Sequence, residues 1–213
     1  MRSKWLAPAC IMAMLAFGAA VYSQLPDRVP SHWNIYGQVD GTVGRATAVL
    51  LLPAVALGIW LLLLAVPRID PWRAAYASFA GTYQLIINAV VLFLALVHIT
   101  TIGAALGWPV GVPQAIGAGT GLLFMVLGNE MGRLKPNWFA GIRTPWTLSD
   151  PDNWRHTHRF GGKVFFIAGL LIAASSLLLP STISFVVIMT GALGAAALSV
   201  GYSYIFWRQH SGM

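Results

Sequence analysis

The sequence predicts an all-α fold: a polytopic membrane bundle of about six transmembrane helices, both termini cytoplasmic, with one interfacial helix in a long inner loop. Three observations lead there. Of the 213 residues 57% are hydrophobic and only 9% charged, against roughly a quarter charged in an ordinary soluble domain. Mean hydropathy is +0.71. No Asp, Glu, Lys or Arg occurs across 46–66, 74–129 or 164–207, and each stretch offers the roughly 20 residues that a spanning helix needs. The two longer stretches must each fold back once.

Pro, Gly and polar residues interrupt the apolar pattern at 26–45, 67–73, 103–113, 131–162 and 180–184. The spans between them are 5–25, 46–66, 76–99, 114–130, 163–179 and 185–207. The first follows Arg2 and Lys4 and reads either as a cleaved signal or as an uncleaved anchor. Its length, and the poor small-x-small site at Ala20-Val21-Tyr22-Ser23, favour the anchor.

With the N-terminus cytoplasmic, Arg2, Lys4, Arg68, Arg73, Arg133, Lys135, Arg143, Arg155, Arg159, Lys163 and Arg208 fall inside, and Arg28 and Arg45 outside. This 11 to 2 split of the 13 basic residues is the asymmetry that orients membrane helices. The formal net charge of +7 is therefore read as loop bias and not as a nucleic-acid footprint. Trp5, Tyr22, Trp72, Tyr76, Trp108, Trp138, Trp146 and Trp207 fall near span ends, where amphipathic rings anchor at the headgroups. Cys10, the single cysteine, has no disulfide partner in the chain.

The outer segment LPDRVPSHWNIYGQVDGTVGR combines Pro26, Pro30, Gly37, Gly41 and Gly44 with Asp27, Arg28, His32, Asn34, Asp40 and Arg45. Its punctuation fixes tight turns, so it reads as a folded loop. His32 with Asp27 or Asp40 could ligate a metal or meet an external ligand; a capped surface loop is the alternative, and no metal-ligand spacing is present.

The inner loop with Lys163 at its end, residues 131–163, carries nearly half of the Lys and Arg. NWFAGIRTPWTL interleaves aromatic with polar residues and suits a segment lying in the interface. Asp150 and Pro151 mark a helix start. On that helix Trp154 and His158 share one face and Arg155 and Arg159 another, with Gly161-Gly162 as a hinge before the fifth span. Two readings stand side by side: a cytoplasmic docking surface, or a basic helix that pins the protein to anionic lipid. His156 and His158, two apart on a helix, diverge and make a poor chelating pair.

Within the spans the polar residues are Gln84, Asn88, His98, Thr100 and Thr101, with Asn129 and Glu130 at the inner end of the fourth. No charge sits at mid-membrane, which disfavours an ion-coupled transporter. The runs 191–197 and 117–121 read as close helix packing. The sequence holds no G-x-S-x-G, no H-E-x-x-H, no phosphate loop and no pair of intramembrane aspartates. A membrane enzyme would depend on Glu130, Asn137, Arg143, His158 and Arg159 converging at the inner leaflet. No cofactor is expected.

The stretch GNEMGRLKPNWFAGIRTPWTLSDPDNWRHTHRFGGKVF resembles the signature of the SdpI family through Asn129, Pro136, Asn137, Gly141, Ile142, Arg143, Thr144, Pro145, Trp146, Thr147, Leu148, Trp154, Thr157, His158, Arg159, Gly161 and Gly162. The outer segment resembles an uncharacterised domain that often precedes it, through Leu25, Pro26, Pro30, His32, Gly37, Asp40 and Gly41. The resemblance implies a multi-pass plasma-membrane protein in two parts, an N-terminal two-helix unit at 1–75 and an SdpI-like domain at 76–213. It implies protection against a secreted toxic peptide, and capture of an ArsR-type repressor at the membrane. The expected toxin-facing residues are His32, Gly37, Asp40 and Gly41. The expected inner partner surface or pocket comprises Asn129, Glu130, Pro136, Asn137, Gly141, Arg143, Thr144, Pro145, Trp146, Trp154, His158 and Arg159.

Overall fold

In the computed structural model, which describes residues 3–210, helices long and apolar enough to cross a membrane number six. The chain runs α1 (Leu6–Val21), β1 (Arg28–Trp33), β2 (Val39–Gly44), α2 (Arg45–Ile69), α3 (Ala80–Ala105), α4 (Val112–Met131), α5 (Pro145–Ser149), α6 (Pro151–Leu178) and α7 (Ser181–His210). It is a polytopic helical bundle. The predicted outer loop is an antiparallel hairpin, so one small two-stranded sheet accompanies the helices.

Helix α3 packs against α1 and α2 on one side and α4 on the other, while α4, α6 and α7 pack together. Ile87 and Val91 of α3 are fully buried beside Ile11 and Met14 of α1 and Ala56 of α2. Leu50, Leu62, Leu171 and Leu193 stay exposed, as a bundle surrounded by hydrocarbon requires. The α4–α6 crossing is the tightest. A Cβ at Gly128 would lie 2.6 Å from the Gly162 carbonyl oxygen and one at Gly169 would lie 2.5 Å from that of Gly121, so only paired glycines let these backbones touch.

Two helix limits differ from expectation. The third span is preceded by a 3-10 segment, Arg73–Phe79, so Tyr76 stands before α3 and not inside it. The helix that starts at Pro151 runs into the fifth span with no break at Gly161-Gly162: α6 is continuous over 28 residues, about 42 Å at 1.5 Å per residue. That exceeds a hydrocarbon core of about 30 Å, so its first turns project from the bilayer on the basic side. Gly161 and Gly162 are sites of close approach, to Ile142 and to Gly128. Asp150 caps α6 as its spacing predicts, accepting from the Asp152 N–H at 2.8 Å.

Polar groups inside the spans are mostly engaged in packing. Asn88 donates to the Ser3 carbonyl at 2.8 Å and accepts from Gln84 at 3.1 Å. His98, fully buried, stands edge-on to Phe17 of α1.

Candidate functional site

The chain between α4 and α6 folds into a plate held by its own polar side chains. Asn137 is fully buried. Its amide donates to the carbonyls of Lys135 (2.9 Å) and Ala140 (3.0 Å), and its oxygen accepts from the N–H groups of Phe139 (2.9 Å) and Ala140 (2.6 Å). One side chain thus satisfies the backbone of a turn that no regular element could serve. Arg143 closes the same loop by donating to the Trp138 carbonyl at 2.6 Å.

Thr144 then starts α5, a single helical turn, with a reciprocal capping box: its hydroxyl accepts from the Thr147 N–H, and the Thr147 hydroxyl accepts from the Thr144 N–H. Pro145 at the first helical position fits because no N–H is needed there. Thr144 also meets the Ser203 hydroxyl of α7 at 3.1 Å, and Asn153 donates to the Ser203 carbonyl at 2.9 Å. Trp146 stacks toward Tyr204 and Trp207 of α7.

The plate is fixed to α6 through two stacked rings. Trp154 and His158 have centroids 4.0 Å apart; Trp154 donates from its indole to the Leu134 carbonyl at 2.9 Å. His158 accepts the Ile142 N–H on Nε2 (2.9 Å) and places Nδ1 2.8 Å from the Trp154 carbonyl. An Nε2 that accepts and an Nδ1 facing a carbonyl define the neutral ring protonated on Nδ1.

Sequence reasoning missed one partner of the plate. Asp70, buried just after α2, accepts from the Trp72 N–H (2.7 Å), the Tyr76 hydroxyl (2.8 Å) and the Trp138 N–H (3.0 Å). It ties the inner ends of α2 and α3 to the plate. A signal was present: it is the only acid in the basic segment between Arg68 and Arg73.

The proposed enzymatic constellation does not converge. The buried Glu130 carboxylate receives the Thr82 hydroxyl at 2.7 Å, the Asn129 amide at 3.3 Å and the Arg133 guanidinium. The cavity beside that cluster is lined by Ser78, Thr82, Arg133 and Lys135, and by none of Asn137, Arg143, His158 or Arg159. Of the expected partner residues, Asn129, Gly141, Arg143, Pro145 and Arg159 are exposed and Pro136 and Trp146 half-buried, while Glu130, Asn137, Thr144, Trp154 and His158 lie in the interior. The solvent-facing surface here is cationic and aromatic, with Trp138, Phe139, Arg143, Arg155 and Arg159 exposed.

At the opposite end, β1 and β2 pair from Arg28↔Gly44 to Trp33↔Val39 with a bulge around His32. The turn is closed by the Asn34 side chain, which accepts the N–H groups of Tyr36 and Gln38, both at 3.0 Å. Gly37 has φ of +78° and sits so close to α7 that a Cβ would lie 3.1 Å from the Ser181 hydroxyl. His32 meets Asp40 at 2.5 Å, whereas Asp27 pairs with Arg45. Both pairs are largely solvated, so they fix the hairpin's shape more than its stability. No group of three or more His, Cys, Asp or Glu able to hold a metal occurs among the described residues.

The SdpI/YfhL protein family matches residues 133–203, from the plate through most of α7, and a domain of unknown function, DUF1648, matches 9–57, from α1 through the hairpin into α2. Over 204 residues, 95% of this chain and 95% of the relative, the sequence is 26% identical to "Immunity protein SdpI" of Bacillus subtilis (strain 168). No solved structure matches. The plate and the helices that follow it thus carry the match to the SdpI/YfhL family model, and the hairpin with its flanking helices carries the match to DUF1648.

Proposed function

We propose that this chain is a membrane immunity protein that confers resistance to a secreted antimicrobial peptide, and that its basic inner face holds a cytoplasmic ArsR-type repressor. The observation that carries the first part is the near full-length likeness to an immunity protein, extending over both the hairpin and the plate. The second part rests on the exposed Arg143, Arg155 and Arg159 beside Trp138 and Phe139, a surface suited to an acidic partner.

The division of labour follows from construction. The hairpin lies on the side with the two remaining basic residues and is rigid through Asn34 and Gly37; the plate lies on the side with the other eleven. Both are anchored directly on spanning helices, so a small helix shift could couple them.

The test is expression in a bacterium sensitive to a secreted peptide toxin. Survival should rise by orders of magnitude over the empty vector, and unaltered killing at normal membrane levels of the protein would refute the reading.

A further inference from the structure

Beneath the hairpin the bundle parts and leaves a cavity of about 470 Å³. Leu52 of α2, Val97 of α3, Thr120 of α4 and Ile188 of α7 form its walls. No Asp, Glu, Lys or Arg lines it, and His32, which does, is paired with Asp40, so a charged group buried there would lack a counter-ion of its own.

Its roof is the first strand of the hairpin together with the turn. The consecutive residues Pro30 through Ile35 all border the space, whereas β2 contributes Val43 alone. Pro30 to Trp33 belong to β1 and Asn34 and Ile35 to the turn that follows, so β1 borders the cavity more closely than β2 does, along a stretch that includes the bulge around His32. One edge of β1 is taken by β2, and the sheet has no third strand among the described residues. An unpaired edge is a template for one more strand.

We infer that this cleft binds an extended, apolar, uncharged peptide segment, which adds to the free edge of β1 and lowers alternate side chains into the cavity. The identification rests on the immunity reading above and names where its peptide would sit. A lipid acyl chain could fill the volume, but it makes no use of a strand edge and its phosphate would find no Lys or Arg in the lining. Main-chain pairing at the edge supplies affinity, and the apolar walls select against charge.

The test uses full-length protein in phospholipid nanodiscs with the photoreactive p-benzoylphenylalanine replacing Ile35, a lining residue that is 40% exposed. The probe is a pool of short uncharged Val/Leu/Ala peptides, compared with the same pool N-methylated at alternate amides. The unmethylated pool should label the protein, and N-methylation should weaken labelling about tenfold, the loss expected for one or two strand hydrogen bonds. Ser181→Trp and Thr120→Phe, which fill the cleft from α7 and α4, should each abolish labelling while thermal unfolding stays close to the parent's. Equal labelling by both pools, labelling of nanodisc lipid that peptide does not displace, or full labelling in a folded cleft-filled variant would overturn the inference. The two readings separate in cells. If the parent protects and folded cleft-filled variants protect equally, the cleft is wrong and immunity stands. If peptide labels the cleft but the parent protects against no toxin, immunity fails and the cleft stands.

Discussion

His158 accepts the backbone N–H of Ile142 at 2.9 Å on the same Nε2 that a Cβ at Gly141 would approach to 2.3 Å. Gly141 also has φ of +110°, where an L side chain is strained. Gly141→Ala should therefore act twice, through backbone strain and through displacement of the ring, and cost about 2 kcal/mol or more. His158→Ala should cost less, about 1–3 kcal/mol for the unpaired N–H and the lost stacking. Thermal unfolding of the purified variants in detergent checks both; a Gly141→Ala protein as stable as the parent would show that the loop is not locked on His158.

Asp70 is the other lock. Its three donors, Trp72 N–H, Tyr76 hydroxyl and Trp138 N–H, all point at one buried carboxylate. Asp70→Asn keeps the shape but turns an NH₂ toward at least one of them, an expected loss of about 1.5–3 kcal/mol. Tyr76→Phe removes a single hydroxyl and should cost about 1 kcal/mol. Limited proteolysis from the inner face reads out the result: cleavage between residues 131 and 150 should accelerate in Asp70→Asn well before the spans unfold.

The spans were legible because length and charge exclusion leave a helix no alternative in lipid. Leu6–Val21 and Val112–Met131 fall within a few residues of their predicted limits. What was not legible depended on tertiary partners. Gly161-Gly162 reads as a hinge in isolation, and only the position of Gly128 on α4 reveals a packing seam. The hairpin reads from sequence as a folded loop because its strands are short and rich in Pro and Gly. The inner motif announced itself as an ordered loop, yet its sequence could not say that Asn137 and His158 face inward while Arg143 and Arg159 face out. Asp70 lay outside the motif altogether, and its part was set by a fold that brings residues 68 positions apart together.

Orientation follows from the 11 to 2 basic asymmetry. Reporters placed after Gly107, in the link between α3 and α4, and beside Pro180, between α6 and α7, should report the outer side. Reporters after Asp70, between Thr147 and Asn153, and at the C-terminus should report the cytoplasm. A cytoplasmic signal after Gly107 would overturn the six-span topology.

The proposed function gives Arg143 two separable duties. Its bond to the Trp138 carbonyl closes the loop, and a lysine amine can serve a single carbonyl nearly as well. A planar guanidinium is needed for bidentate contact with a partner carboxylate. Arg143→Ala should lower stability by about 1 kcal/mol, whereas Arg143→Lys should leave stability nearly intact and still weaken repressor capture. Equal capture by the Lys variant would mean that the residue acts only within the loop.

Sensing and output can be tested apart, provided the variants are chosen by burial. Trp154 is 1% exposed and bonded to the Leu134 carbonyl, so Trp154→Ala would open a cavity costing about 3–5 kcal/mol and would confound folding with docking. Arg155→Glu with Arg159→Glu is the cleaner change, since both side chains are solvated on the projecting turns of α6. This double variant should insert normally, keep toxin protection and lose repressor capture, measured by fractionation of the repressor between membrane and cytosol. Asp40→Asn, at an exposed pair with His32, should do the reverse: protein levels intact, the hairpin's bulge loosened, protection and toxin-triggered capture both reduced. The asymmetry is the diagnostic, because an outer change precedes both outputs and an inner change only one. Should the Arg155/Arg159 double variant lose protection in step with capture, at normal membrane levels, the two faces form one composite site and the separation of roles fails.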